Sequence, residues 1–182
     1  MSEEERRRWN ERHRGDGGRP APPSTFAHLE GLLPRAGVAM EVACGRGEAS
    51  VWLALGGLEV WASDVSPVAI QAARRLADRH GVAERCRFQV HDLDSGLPAE
   101  PPEADLVLCH MFRDPRLHAA LAQRLRPGGV LAVATLSEVG SEPGSFRAKP
   151  GELRDAFGHL AILDEGEADG RAWIVARSCP AT

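Results

Sequence analysis

The sequence predicts an α/β fold, a doubly wound, mostly parallel sheet of seven strands with helices on both faces. Three observations predict it. From Gly37 onward, short runs rich in Val, Leu and Ala alternate with helical patterns, as βαβ units require. The helical patterns carry their own start and stop signals. The first apolar run leads directly into "EVACGRGEAS", where two glycines one residue apart join a strand to a helix, the turn by which such sheets bring backbone close to a ligand.

Taken in order, the chain opens with a charged helix candidate, Glu3 to Arg14, then a Gly/Pro-rich linker, Gly15 to Pro23. A second helix candidate follows from Ser24 to Leu33, with Phe26, Leu29, Leu32 and Leu33 forming an apolar face. Strands are predicted at Val38 to Ala43, Leu58 to Ser63, Arg87 to His91, Asp105 to Cys109, Val130 to Leu136, Leu160 to Leu163 and Arg171 to Ala176. Ser66 before Pro67 reads as an N-cap with proline at the first helical position, and Gly81 stands where a helix ends. Asp114 and Pro115 repeat the device, and "RPGG" is expected to end that helix before the fifth strand. The loop from Ser137 to Pro150 is long, and long loops at strand ends tend to be functional.

Composition narrows the function. A chain of 182 residues can bury a core without disulfides or metals, so one domain is expected. A formal net charge of -4 gives no general attraction for nucleic acid or an anionic membrane, which points to a small-molecule or protein partner. The cysteines Cys44, Cys86, Cys109 and Cys179 are scattered without C-x-x-C spacing, as free thiols in a reducing compartment would be. The N-terminus is charged, and no apolar run approaches the roughly 18–20 residues of a membrane span. A cytoplasmic, soluble protein is expected.

The glycine turn alone is also what a plain strand-to-helix connection needs. Its surroundings carry more. Glu41 in the strand and Glu48 at the helix start are poor neighbours for a diphosphate, and Ser50 stands where a dinucleotide fingerprint needs glycine or alanine. A ligand with an ammonium or sulfonium suits these charges better than a nicotinamide dinucleotide, although an oxidoreductase on a similar sheet is the competing reading. Asp64 ends the second strand, where an acid can accept from a ribose diol. Asp92 follows the third, where an oxygen can accept from an adenine amine. Each of these acids could instead be an exposed turn residue or a helix cap. "DLVLCHMF" brings Cys109 and His110 to the end of the fourth strand, beside the glycine turn.

Together, "EVACGRGEAS", "WASDVSP", "VHDLDSGLP", "ADLVLCHMF" and "LRPGGVLAV" resemble the successive motifs of class I S-adenosylmethionine-dependent methyltransferases, over nearly the whole chain. The opening "RRWNERHRG" and the closing "FRAKPGELRDAFGHLAILDEGEADGRAWIVAR" resemble the small bacterial branch related to tellurite-resistance and thiopurine methyltransferases. The resemblance implies a Rossmann-like core over 37–182 and an N-terminal helical lid and linker over 1–36, together one domain. It implies that Glu41, Ala43, Cys44, Gly45 and Gly47 line the methionyl part of S-adenosylmethionine. Asp64 and Val65 would meet its ribose and adenine, Asp92 and Leu93 the adenine edge, and Cys109 the floor below the sulfonium.

The "W-x-x-R-[YH]" helix of that branch makes Trp9, Arg12 and His13 candidates to cover the cofactor, with His13 standing where relatives often have tyrosine. A solvated charged helix with one packed Trp is the alternative. S-adenosylhomocysteine would be the product and a small molecule the acceptor. A non-catalytic module that binds S-adenosylmethionine is a third possibility.

His110 is the residue type best placed for a general base, if the acceptor must lose a proton, or else a packed loop histidine. Arg113 and Arg147 could meet an anionic acceptor or be surface charges. Asp92 and Asp94 lack further ligands, so no metal is expected. The oligomeric state, monomer or homodimer, is left open.

Overall fold

The computed structural model describes residues 3–15 and 18–180. Among the described residues, seven strands form one sheet: β1 (Val38–Val42), β2 (Glu59–Asp64), β3 (Cys86–Val90), β4 (Ala104–His110), β5 (Leu125–Leu136), β6 (Ala161–Ala168) and β7 (Arg171–Arg177). Their order across the sheet is β3-β2-β1-β4-β5-β7-β6. Strands β1 to β5 pair in parallel, while β7 runs antiparallel between β5 and β6. The α-helices are α1 (Glu3–Arg12), α2 (Glu48–Leu55), α3 (Pro67–Arg79), α4 (His118–Gln123) and α5 (Glu152–Phe157).

Alternation along each strand divides the core. Ala39, Leu106 and Leu108 face one side with Val51 and Leu53 of α2, Ile70 and Leu76 of α3, and Phe26. Met40, Val42, Val107 and Cys109 face the other side with Leu121 of α4 and Leu153 and Phe157 of α5. Burial on both faces explains why the central strands read as near-continuous apolar runs. Helix α3 starts as its sequence dictates: Ser66 Oγ accepts from the Ala69 amide at 3.1 Å, and Pro67 occupies the first turn.

The strand order reverses between β1 and β4, where Val42 pairs with Cys109. Both loops that leave this point face the same crevice, the usual ligand position in an open α/β sheet.

Three expectations are corrected. The segment Ser24–Leu32 is a 3-10 helix rather than an α-helix. Its apolar residues Phe26, Leu29 and Leu32 recur every third position, which suits three residues per turn as well as an amphipathic α-helix. Strand β5 begins at Leu125, so "RPGG" lies inside it; Leu125 pairs with Ala104, and the register shifts before Val130 meets Leu106. Strand β6 extends to Ala168 through "LDEGEA", because an edge strand tolerates acids that read as loop: Glu165 is exposed, while Asp164 accepts from Trp173 and Glu167 from Ser137 and Gly151. Of the linker Gly15 to Pro23, Asp16 and Gly17 lie outside the described residues.

Candidate functional site

At the end of β1 the backbone turns sharply through left-handed conformations at Ala43 (φ 54), Gly45 (φ 55) and Gly47 (φ 74). Gly47 is required twice over: besides its φ, a Cβ there would lie 2.6 Å from Ala73 Cβ and 3.2 Å from Phe88 Cε1. That contact draws the start of α2 against α3. At Gly45 a Cβ would project toward His13, whose Cε1 lies 3.3 Å away, so this bare backbone faces the space between the turn and α1.

Asp64 ties the turn to the end of β2. Its Oδ2 accepts from the Gly45 amide at 2.8 Å and its Oδ1 from the Ser66 amide at 2.9 Å. Both oxygens retain a second lone pair for a ligand hydroxyl. The side chain is 7% exposed. Glu41, 4% exposed, accepts a short hydrogen bond from Ser50 Oγ of α2. Burial raises its pKa to about 8, with Asp64 pushing the same way and Ser50 opposing. An acid buried under a glycine turn is costly to charge, and a cationic ligand would reverse that cost.

Glu48 has a different role from the one its position suggests. Its Oε1 accepts from the Gly18 amide at 3.1 Å and pairs with Arg46 at 3.3 Å, while its carbonyl accepts from Ala21. It anchors the segment that returns from α1 to the sheet.

Helix α1 lies over the turn. Ser66 Oγ donates to Asn10 Oδ1 at 2.6 Å, and His13 is the residue that reaches Gly45. Burial lowers the pKa of His13 below its ordinary value, against the pull of Asp64. Trp9 stacks on His13 with ring centroids 5.9 Å apart, and Arg12 sits 5.4 Å over the Trp9 ring. Trp9 is 38% exposed, so it braces His13 from outside.

After β3, Asp92 caps a 3-10 turn, Leu93–Ser95, by accepting from the Asp94 amide at 3.0 Å, and Leu93 is buried in the core. Val65, between Asp64 and Ser66, is half-buried at the mouth of β2.

On the β4 side, Cys109 is buried and its pKa is pushed up to about 12, so it remains a thiol; its Sγ contacts the Phe112 carbonyl at 3.5 Å. Cys44 is likewise buried and held protonated. His110 ends the strand, with Nε2 3.2 Å from Thr25 Oγ1 and its ring 6.0 Å from that of Phe26. Burial lowers its pKa to about 4, helped by Arg171.

Arg113 makes a bidentate pair with Glu152 at 2.7 and 2.6 Å and also donates to the Ser145 carbonyl at 3.3 Å. Arg147 donates to the carbonyls of Ser137 at 2.8 Å and Gly170 at 3.3 Å. Both guanidiniums hold the long loop against the sheet end. Among the described residues, no group of three or more His, Cys, Asp or Glu side chains is placed to hold a metal ion. No helix there is long and apolar enough to cross a membrane.

The turn, Asp64, Glu41, His13 and the β4 end therefore come together. Asn10 and Thr25 join them without having been singled out in the sequence, and Ser50, read there only as a departure from a dinucleotide fingerprint, joins as the partner of Glu41. A serine inside the apolar stretch of α2 was the one available sign of a buried polar partner.

Comparison with known proteins gives a consistent picture. Residues 39–129 match the family described as a methyltransferase domain. The ribosomal protein L11 methyltransferase of Azotobacter vinelandii is 30% identical over 164 residues, which cover 88% of this chain and 51% of that protein. Among solved structures, TehB from Haemophilus influenzae superposes with a TM-score of 0.69 at 18% identity, over 78% of this chain and 57% of that one. A structure from work on the conversion of a disulfide bond into a thioacetal group during echinomycin biosynthesis gives 0.63 at 25% identity, over 91% and 88%. The chain spans about half, or less, of the length of the curated relatives it matches.

Proposed function

Because the chain belongs to the methyltransferase-domain family, we propose that it transfers a methyl group from S-adenosylmethionine to a small-molecule acceptor, the chain acting as one catalytic unit. The observation that carries this reading is the acidic crevice at the strand-order reversal. There a glycine turn, Asp64 bound to the Gly45 and Ser66 amides, and the buried Glu41 lie within one sheet end.

The residues fit that cofactor. Gly45 leaves its backbone bare next to His13, Glu41 and Asp64 offer negative charge to an ammonium and a sulfonium, and Asp64 keeps lone pairs for ribose hydroxyls. Val65, Asp92 and Leu93 border the adenine side, and Ala43, Cys44, Gly47 and Cys109 complete the lining. When bound, S-adenosylmethionine would supply an electrophilic methyl carbon for the acceptor's lone pair, with S-adenosylhomocysteine as the leaving group that keeps the C–S electron pair. What the chain contributes is orientation, worth up to about 7–11 kcal/mol in favourable cases. Helix α1, with Trp9 and Arg12 bracing His13, excludes water from above.

A small acceptor is favoured because α1 and the Ser24–Leu32 segment are tied across the strand ends by the Asn10–Ser66 and Thr25–His110 hydrogen bonds, which restricts the approach of a large one. Arg113 and Arg147 act only through the 137–150 loop they hold. The deciding experiment is a thermal-shift comparison of S-adenosylmethionine, S-adenosylhomocysteine and NADH, followed by a screen of small molecules and ribosomal protein L11 for S-adenosylhomocysteine release. Stabilisation by the two sulfur ligands alone, with release from a small molecule, supports the reading. A shift with NADH only, or release with the protein alone, overturns it.

A further inference from the structure

Thr25 and His110 are 85 residues apart and meet over the site. Phe26, next to Thr25, is fully buried in the core beside α2 and α3, and its ring lies against that of His110, tilted by 59°. The Phe26 amide is fixed to the Pro23 carbonyl at 2.8 Å. On the other side, the strand delivers His110 rigidly: the next residue, Met111, takes a left-handed φ of 60 while its amide donates to the Ala134 carbonyl at 2.7 Å. The imidazole is therefore held by β4, by an aromatic ring and by a hydroxyl.

The two ring nitrogens are not equivalent. Nε2 faces Thr25 Oγ1, whereas among the described residues Nδ1 has no hydrogen-bond partner and is not sealed from solvent. Resting on the methyltransferase reading, we propose that Thr25 is a positioning residue: it accepts from Nε2–H of His110 and so fixes the tautomer whose bare Nδ1 faces the acceptor. An acceptor X–H that gains a methyl group must shed its proton. That proton goes to Nδ1, giving a transient imidazolium that returns it to water. Because the ring is hard to protonate in its buried setting, it takes a proton only from the strongly acidic methylated acceptor and is neutral again before the next turnover. Thr25 also lies outside residues 39–129, so this element comes from the chain's own N-terminal segment rather than from the part that matches the family.

The test is histidine ring 15N spectroscopy of the full chain, for wild type, Thr25→Val and Thr25→Ser. Wild type and Thr25→Ser should show His110 as a single neutral tautomer protonated at Nε2, with its signals moving when S-adenosylhomocysteine is added. Thr25→Val should lose that single tautomer. A wild-type ring protonated at Nδ1, an unchanged tautomer in Thr25→Val, or His110 signals indifferent to bound S-adenosylhomocysteine would each overturn the inference. Absence of any S-adenosylhomocysteine binding by wild type would instead remove the methyltransferase reading, since the tautomer is measured without ligand.

Discussion

Asn10 and Ser66 are joined by a 2.6 Å hydrogen bond that fastens α1 to the first turn of α3. Ser66 is fully buried and also caps α3, so the partner of α1 is part of the scaffold itself. Helix α1 is consequently held at a fixed point, and each side of the site is open to a separate test.

If α1 covers the ligand, removing it should weaken binding without unfolding the core. A chain starting at Arg19 is expected to bind S-adenosylhomocysteine much more weakly by calorimetry, and amide exchange across Glu3–Arg12 should slow when the ligand binds. Asn10→Ala should show a partial version, a net loss of about 0.5–1.5 kcal/mol in binding. Equal affinity for the shortened chain would leave α1 as ordinary packing.

Asp64→Ala should reduce both affinity and stability. The carboxylate accepts from Gly45 and Ser66 in the fold, so its loss leaves two amides without their partner, at about 1–3 kcal/mol for each that stays buried. Calorimetry and chemical denaturation on the same variant separate the two effects; a ligand-binding loss with full stability would mean the turn holds itself.

Glu41 gives a pH signature of definite sign. Its folded pKa of about 8 lies above its ordinary value of 4.5, so between these values the folded state keeps a proton that the unfolded state has lost. Stability contributed by Glu41 therefore falls as pH rises through that window, by at most about 1.4 kcal/mol for each pH unit. His110, lowered from 6.5 to about 4, acts the other way over its own window: stability is lost as pH falls from 6.5 toward 4. Glu41→Gln should remove the decline between pH 4.5 and about 8 in denaturation curves, and should also abolish an increase in S-adenosylmethionine affinity as pH approaches about 8.

Gly47→Ala is expected to destabilise the fold by roughly 2–4 kcal/mol. The left-handed φ costs about 1–2 kcal/mol and the clash with Ala73 and Phe88 adds overpacking. A melting temperature equal to wild type would refute the tight approach of α2 to α3.

Arg113→Ala and Glu152→Ala should each loosen the loop 137–150, and the double variant should lose little more than either one. Their side chains are 17% and 16% exposed and joined by two charged hydrogen bonds. Additive losses in a double-mutant cycle would show the pair to be uncoupled.

Much of this was legible in the sequence because it is local. The glycine turn, the Ser66-Pro67 start of α3 and the acid ending β2 follow from rules that act within a few residues. The parts that were not legible are joined across distance: Asn10 to Ser66 spans 56 residues, Arg113 to Glu152 spans 39, and Thr25 to His110 spans 85. Arg113 and Arg147 read as free charges for that reason, although the fold gives them carbonyls and a carboxylate. The 3-10 segment was misread because a spacing of three fits two helix types, and only its seat on the core decides between them.

Ala43 sits at the one left-handed position of the turn after β1 where the chain has a side chain instead of glycine. A methyl group there costs about 1–2 kcal/mol relative to a residue without Cβ. The protein therefore holds a stabilising substitution in reserve, Ala43→Gly, one codon change from the present sequence. Its retention would mark that methyl as part of the wall that selects the ligand, and laboratory evolution toward higher melting temperature without selection for activity should find that position early.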